Sequence, residues 1–294
     1  MSEFVEVTAA EFGIPGAAVG VWADNRELIA CHGVTSISNP LPVDQDTLFL
    51  LGSVTKTYTA TALMCLVANG TVELDAPVRR YVPEFRLVDE RCATDITVQN
   101  LLNHTAGLDW GLIVDTGEGD DALAAYVAKL ADLKLIASPS ARASYSQAGY
   151  NLAGRIAEKV TGLTYERVVA SMLFEPLGLP HSFHARDDVM TRRFAVGHNR
   201  SDNGKLSIAR LWRRSRGDNP GGGIASSVAD QLRWARFHLG DGRAETGARV
   251  LPTELLQQMK EPTVALRGSN LGDAIGIGWF LRKIDGIRAV THAG

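Results

Sequence analysis

The sequence predicts an α/β protein in which a mostly antiparallel sheet is flanked by helices, with a helical insertion in the middle of the chain. Three observations carry this reading. Apolar stretches broken by two-residue turns stand at both ends of the chain, at 16–34 and 274–294. A broadly apolar helix follows Ser53, and residues 75–215 are rich in helical patterns with irregular links. Strands at the termini with helices between them fit a layered sandwich closed by pairing of the terminal segments.

The elements follow in order. Residues 2–12 read as a short helix, and GAAVGVWADNRELIACHGV (16–34) as two strands turning at Asp24-Asn25, a hairpin at a sheet edge. From Ser53 to about Ala68, Val54, Tyr58, Ala62, Met64, Cys65 and Leu66 make an apolar surface too wide for a surface helix. That helix belongs at the centre, and Gly70 ends it. Helices are expected at 97–102, 120–131, 148–161 and 164–175, then at about 227–239, where Ser227 and Asp230 fit a capping box, and near 252–260. AIGIGWFLRK and IRAVTHAG read as two strands joined at Asp285-Gly286. The whole is one domain, with an α/β part at about 1–75 and 220–294 and a helical part at about 76–219.

Composition narrows the function. A chain of 294 residues, 45% hydrophobic, buries a sizeable core. Lys+Arg 30 against Asp+Glu 33 is nearly balanced, and the one basic tract, RLWRRSR at 210–216, is too short to make nucleic acid the main partner. The N-terminus MSEFVEVTAAEFGIPGAAV lacks the basic and apolar regions of a secretory signal. No apolar run reaches the ~18–20 residues that span a bilayer, so no membrane is expected. Three cysteines, Cys31, Cys65 and Cys92, in apolar or helical contexts suit buried thiols in a reducing compartment, with the cytoplasm as the expected location. Among the histidines, His181 and His184 lack a carboxylate or cysteine companion in sequence, so neither metal nor cofactor is expected.

Chemistry concentrates in three places. Ser53 and Lys56 lie one turn apart, which brings their side chains to the same helix face, about 5–6 Å between Cβ atoms. Ser-x-x-Lys arises by chance about once in a chain of this length. Its position before an apolar helix is the informative part, because an unpaired buried ammonium costs several kcal/mol. Second, Tyr145 precedes Gln147 in PSARASYSQAGYNLAG (139–154), and a tyrosine beside a lysine exchanges a proton with it; the bland alternative for Tyr145 and Tyr150 is a half-buried aromatic at a helix start. Third, THAG (291–294) ends an apolar strand with a donor side chain and a glycine suited to a cleft. His104 in NHTAG reads as a buried hydrogen-bonding residue beside a turn. NPGGGIA reads as a cleft edge, since no Gly-Lys-Ser/Thr follows to make a phosphate loop.

Together these residues resemble the serine β-lactamase and penicillin-binding-protein superfamily, specifically the class C β-lactamase-like serine hydrolases. Ser53-Val54-Thr55-Lys56 matches Ser-x-x-Lys, Tyr145-Ser146-Gln147 stands where that family has Tyr-x-Asn, and His292-Ala293-Gly294 stands where it has Lys-Thr-Gly or His-x-Gly. LLNHTAGL, EPLGL and NPGGGIASSVADQLRWARF look like its framework. The resemblance implies a β-lactamase/transpeptidase-like fold with an all-α subdomain. It also implies an acyl-enzyme on Ser53, with Lys56 and Tyr145 exchanging the proton, either being the base. Gln147 is then expected to orient the substrate amide or Lys56, His292 to contact substrate or tune Tyr145, and Gly294 to line the cleft.

Three departures shape the expectation. Gln147 is one methylene longer than the usual asparagine. His292 replaces a lysine, and a neutral histidine is a weaker anchor for a carboxylate. Small esters, amides or peptides are therefore expected as substrates, with β-lactamase activity weak or absent; the alternative is a penicillin-binding or sensor-type protein that acylates without efficient turnover. The chain also stops at the third motif, so C-terminal strands and a helix are expected to be missing, with a C-terminal continuation or a second copy as candidate partners. The segments 110–140 and 180–220 are expected to wall the cleft.

Overall fold

The computed structural model describes residues 1–109, 112–212 and 215–294. Arg213 and Arg214 of the basic tract, and Trp110 and Gly111 of one expected cleft wall, lie outside the described residues.

The helix Thr55–Ala68 runs through the core, as its all-round apolar sequence requires, and every residue from Thr55 to Met64 is buried. Threonine is a poor helix former, yet four of them lie in this stretch. Their hydroxyls are satisfied inside the fold: Thr57 Oγ1 donates to the Val54 carbonyl at 2.8 Å, Thr61 Oγ1 to the Thr57 carbonyl at 2.8 Å, and Thr59 Oγ1 to the Pro220 carbonyl at 2.6 Å. Thr55 Oγ1 accepts from the Ile224 N–H at 3.2 Å. Two of these bonds fasten residues 220–224 along the helix, which matters for the site below.

Among the described residues the strands form four small sheets, and every strand pair is antiparallel. The first hairpin pairs Gly16–Ala23 with Arg26–Gly33, and Asp24 and Asn25 both take positive φ, 51° and 57°, the turn that matches strand twist. Phe49–Leu50, Ala225–Ser226 and Ser182–Phe183 form a three-stranded sheet beside the start of the central helix. At the C-terminal end, Ile287–Thr291, Phe280–Ile284, Ala274–Ile275 and Val264–Ala265 lie side by side in that order. Residues 76–219 contain most of the helices, including Val98–Leu102, Ala122–Lys129, Gln147–Thr161 and Tyr165–Val169.

Several expectations change. The terminal hairpins do not pair with each other among the described residues. The first is held by packing instead, with helix Ser2–Phe12 against its second strand and helix Val228–Leu239 against its first, where Gly20 leaves room for Leu232. C-terminal strands and a helix are present up to the third motif, as Thr253–Gln258 and the four strands reaching Thr291, so these are not among the elements expected to be missing. AIGIGWFLRK is two strands, because Gly276–Trp279 turns back sharply and Ile275 pairs with Phe280. Gly278, at φ +76°, brings that turn onto the central helix, where a β-carbon would stand 2.5 Å from Ala60 Cβ. Half of the Ser227–Asp230 capping box forms: Ser227 Oγ accepts from the Asp230 N–H, whereas the Asp230 carboxylate accepts from the His181 N–H and the Ser182 hydroxyl. The cysteines are unpaired and half-buried rather than buried. Among the described residues no helix is long and apolar enough to cross a membrane.

Candidate active site

Gly52–Val54 is a tight turn that leads into the central helix at Thr55, so Ser53 sits just ahead of the α-helix proper. Gly52 takes φ +51°, and a β-carbon there would stand 3.0 Å from the Gly294 carbonyl carbon. One on Gly294 would stand 1.8 Å from the Leu51 carbonyl oxygen. The two glycines thus let the chain end of the third motif lie flat against the Ser53 turn.

Lys56 is wholly buried, and its amine is surrounded. Nζ donates to Ser53 Oγ at 3.2 Å, to Gln147 Oε1 at 2.8 Å and to the Gly221 carbonyl at 2.7 Å. Three acceptors match the three protons of an ammonium, the condition under which burying one is tolerable. The Tyr145 ring lies 4.9 Å from Nζ and the Tyr150 ring 5.6 Å.

Ser146 caps helix Gln147–Thr161 by accepting from the Gly149 N–H, which places Tyr145 just before the helix and Gln147 on its first turn. Burial pushes the Tyr145 phenol up to about 12, while its hydrogen bond to Ser53 works in the opposite direction. His104 steadies this corner. Its Nδ1 accepts from the Ser146 N–H at 3.0 Å, which leaves the proton of the neutral ring on Nε2, and its ring lies 4.5 Å from that of Tyr145. Burial, reinforced by the positive charge of Lys56, holds the His104 pKa well below the usual histidine range. Tyr150 is structural, its hydroxyl donating to the Leu102 carbonyl.

Gln147 is engaged at both ends of its amide, since Nε2 donates to the Asp218 carbonyl at 3.3 Å. Its extra methylene is accommodated by Gly221, where a β-carbon would stand 1.8 Å from Gln147 Nε2. His292 is half-buried, with its ring 5.3 Å from that of Phe280, which in turn lies 6.1 Å from Tyr145. Burial pushes its pKa down to about 4, with Lys56 acting in the same direction, so the ring is neutral at pH 7.

The structure therefore brings Ser53, Lys56, Tyr145 and Gln147 together, with Gly294 against the Ser53 turn and His292 reaching the group through Phe280. A cavity of 320 Å³ opens at Ser53, with Leu50, Leu211 and Trp212 as apolar wall. Residues 180–220 contribute to it as expected, but no described residue of 110–140 does. The sequence reading missed the Gly221 carbonyl and the Asp218 carbonyl; the three glycines in NPGGG were the available signal. His181 has the carboxylate companion its sequence neighbours lack, Asp46 Oδ1 at 3.1 Å from Nδ1, but no metal-holding group of three such side chains occurs among the described residues.

The chain superposes on the crystal structure of SurE with TM-score 0.85 and 26% identity, covering 99% of this chain and 65% of that one. On D-amino acid amidase from Ochrobactrum anthropi, solved with L-phenylalanine, the TM-score is 0.81 with 25% identity, over 99% and 82% of the two chains. Penicillin-binding protein 4 of Amycolatopsis lactamdurans is 34% identical over 287 residues, 97% of this chain and 75% of that protein. The fold and these relatives define a class, the serine β-lactamases and penicillin-binding proteins with their hydrolase relatives. A family model described as Beta-lactamase matches residues 1–294, and the chain belongs to that family.

Proposed function

We propose that the chain is an esterase that forms an acyl-enzyme on Ser53, acting on small, neutral, largely apolar esters. The observation that carries this is the buried Lys56 amine 3.2 Å from Ser53 Oγ. In its amine form Lys56 keeps its two N–H donors on Gln147 Oε1 and the Gly221 carbonyl and turns its lone pair to Ser53 Oγ, whose proton it takes as that oxygen attacks the ester carbonyl; the Ser53 backbone N–H serves the developing oxyanion. Tyr145 keeps its proton at neutral pH, so it acts as the acid that protonates the departing alkoxide. The Lys56 ammonium then returns a proton to the tyrosinate, and the regenerated amine accepts one from the water that attacks the acyl-enzyme and passes it to Ser53 Oγ as that oxygen departs, which restores both groups.

Esters are favoured over β-lactams and acylamino substrates for two reasons. Gln147 already commits one acceptor site to Lys56 and one donor to the Asp218 carbonyl, which fixes its amide on the enzyme rather than on a substrate amide, and neutral His292 is no fixed cation for a carboxylate. The unpaired Cys31, Cys65 and Cys92 support a cytoplasmic location as part of the same proposal.

The test is a panel of p-nitrophenyl esters, D-amino-acid amides and nitrocefin with continuous product detection. Sustained p-nitrophenol release, with little turnover of the others, is expected. A burst equal to the enzyme concentration followed by a stall would assign the chain to the acylating, non-turnover type.

A further inference from the structure

Behind the Ser53 cavity, on the far side of residues 216–222, a second and larger space of 680 Å³ is lined by Glu166, Arg216 and Asn219 among others, and Asn219 borders both. Glu166 stands in the first turn of helix Tyr165–Val169 and lines the larger space. Its Oε1 accepts from Asn219 Nδ2 at 2.7 Å and from Arg216 Nε at 3.1 Å, and its Oε2 accepts from Arg216 Nη2 at 3.1 Å. Arg216 is itself tied to Asp120 Oδ1 at 2.7 Å and to the Glu118 carbonyl at 3.0 Å. Burial works against the Glu166 carboxylate, but the Arg216 hydrogen bonds, the His184 charge and the Asn219 hydrogen bond outweigh it, so it remains ionised.

This grip falls on the start of the short helix Asn219–Gly222, whose Gly221 carbonyl accepts from Lys56 Nζ at 2.7 Å. Other bonds hold the same segment from the opposite side: Asn151 Nδ2 to Asp218 Oδ1 at 2.9 Å, and Thr59 Oγ1 to the Pro220 carbonyl at 2.6 Å. Glu166 holds the segment at Arg216 and Asn219, and these bonds hold it at Asp218 and Pro220, which leads directly into Gly221.

We propose that Glu166 is a positioning residue for the Ser53–Lys56 pair, acting through Asn219 and Arg216 to hold the Gly221 carbonyl on Lys56. Glu166 touches no reacting atom. Without it the Asn219–Gly222 turn drifts, Lys56 loses one of its three acceptors, and the amine no longer points steadily at Ser53. The substrate cavity keeps its apolar wall, so binding is spared while the chemical step suffers.

The inference rests on the serine hydrolase reading above, and the experiment separates the two. Fluorophosphonate labelling of Ser53, p-nitrophenyl acetate kinetics and melting temperature are measured for wild type, Glu166→Ala, Glu166→Gln and Asn219→Ala. Glu166→Ala should lower both kcat and the labelling rate about 10²-fold, the scale of an ångström-sized misplacement, with KM little changed. Glu166→Gln should recover most of that loss, because its Oε1 still accepts from Asn219 and Arg216. If Glu166→Ala fails to fold, Asn219→Ala cuts the same link at its other end and should show the same loss in kcat and labelling. Labelling at the wild-type rate in the folded Glu166→Ala or Asn219→Ala protein would overturn the inference, as would a Glu166→Gln protein no better than Glu166→Ala. Absence of labelling in wild type would instead overturn the serine reading itself.

Discussion

The amide of Gln147 occupies the space that a β-carbon on Gly221 would need, 1.8 Å from Nε2, while its other end accepts from Lys56. A longer side chain at one position and an absent one at the other are two halves of one fit. Gly221→Ala should therefore push the Gln147 amide off Lys56 and lower Ser53 labelling about 10²-fold. Adding Gln147→Asn, which withdraws the amide by one methylene, should recover much of the loss, with a coupling of about 0.5–3 kcal/mol in the double-mutant cycle. Additive effects in that cycle would mean that the two positions act separately.

Ser53→Ala removes one small hydroxyl from a partly exposed turn. Covalent labelling should vanish, while the unfolding free energy from urea should fall by no more than about 1–3 kcal/mol, because the change opens no cavity but takes one acceptor from the buried Lys56 amine. Retained labelling would place the nucleophile at another serine.

Tyr145→Phe separates acid from base by leaving group. An acid is needed only when the departing oxygen is basic, so alkyl ester turnover should fall about 10²-fold or more while p-nitrophenyl esters change little. Equal loss on both series would make Tyr145 the base that takes the Ser53 proton, despite a phenol pushed up to about 12.

His292→Lys restores a cation at the third motif. Nitrocefin, which carries a carboxylate, should gain about tenfold or more in kcat/KM relative to a neutral ester, since a charge-assisted hydrogen bond contributes ~1.5–3 kcal/mol. An unchanged ratio would show that another group limits β-lactam turnover.

Acid should weaken the fold through histidines that are buried neutral. Burial lowers the pKa of His104 well below the usual range and that of His238 to about 3, with nearby lysines adding to both. A folded pKa below the unfolded value of about 6.5 means that the unfolded chain binds the proton first. Their stabilisation is complete above the unfolded pKa and is lost as pH falls toward the folded one, at about 1.4 kcal/mol per pH unit for each ring. Urea midpoints between about pH 6.5 and 5 should show this slope, and His238→Gln should reduce it. An identical slope in that variant would move the effect to other groups.

Much of this was legible in the sequence because it is written in local patterns. Asp24-Asn25 and Asp285-Gly286 force positive φ and so mark both hairpins, and the all-round apolar run after Ser53 marks the central helix. The Ser53–Lys56 pair was legible for the same reason, being one turn apart. What escaped depends on main-chain atoms brought in from afar. The Gly221 and Asp218 carbonyls carry no side-chain signature, and the Gly276–Trp279 reversal is hidden in a run whose composition suits a single strand. Gln147 was expected to orient the substrate amide or Lys56, and the choice of Lys56 could not be read because it depends on the emptiness of position 221.

The acceptors on Lys56 have a consequence for the order in which the protein acquires reactivity. Gln147 and Gly221 lie 91 and 165 positions further along the chain. A nascent chain leaving the ribosome exposes Ser53 and Lys56 long before either partner has been synthesised. Until then the lysine is an ordinary solvated cation and the serine an ordinary alcohol. On the proposed mechanism the Ser53–Lys56 pair is assembled only when the Asn219–Gly222 turn arrives and docks, so an unfinished chain lacks the arrangement that mechanism needs to acylate itself on metabolites in the surrounding solution.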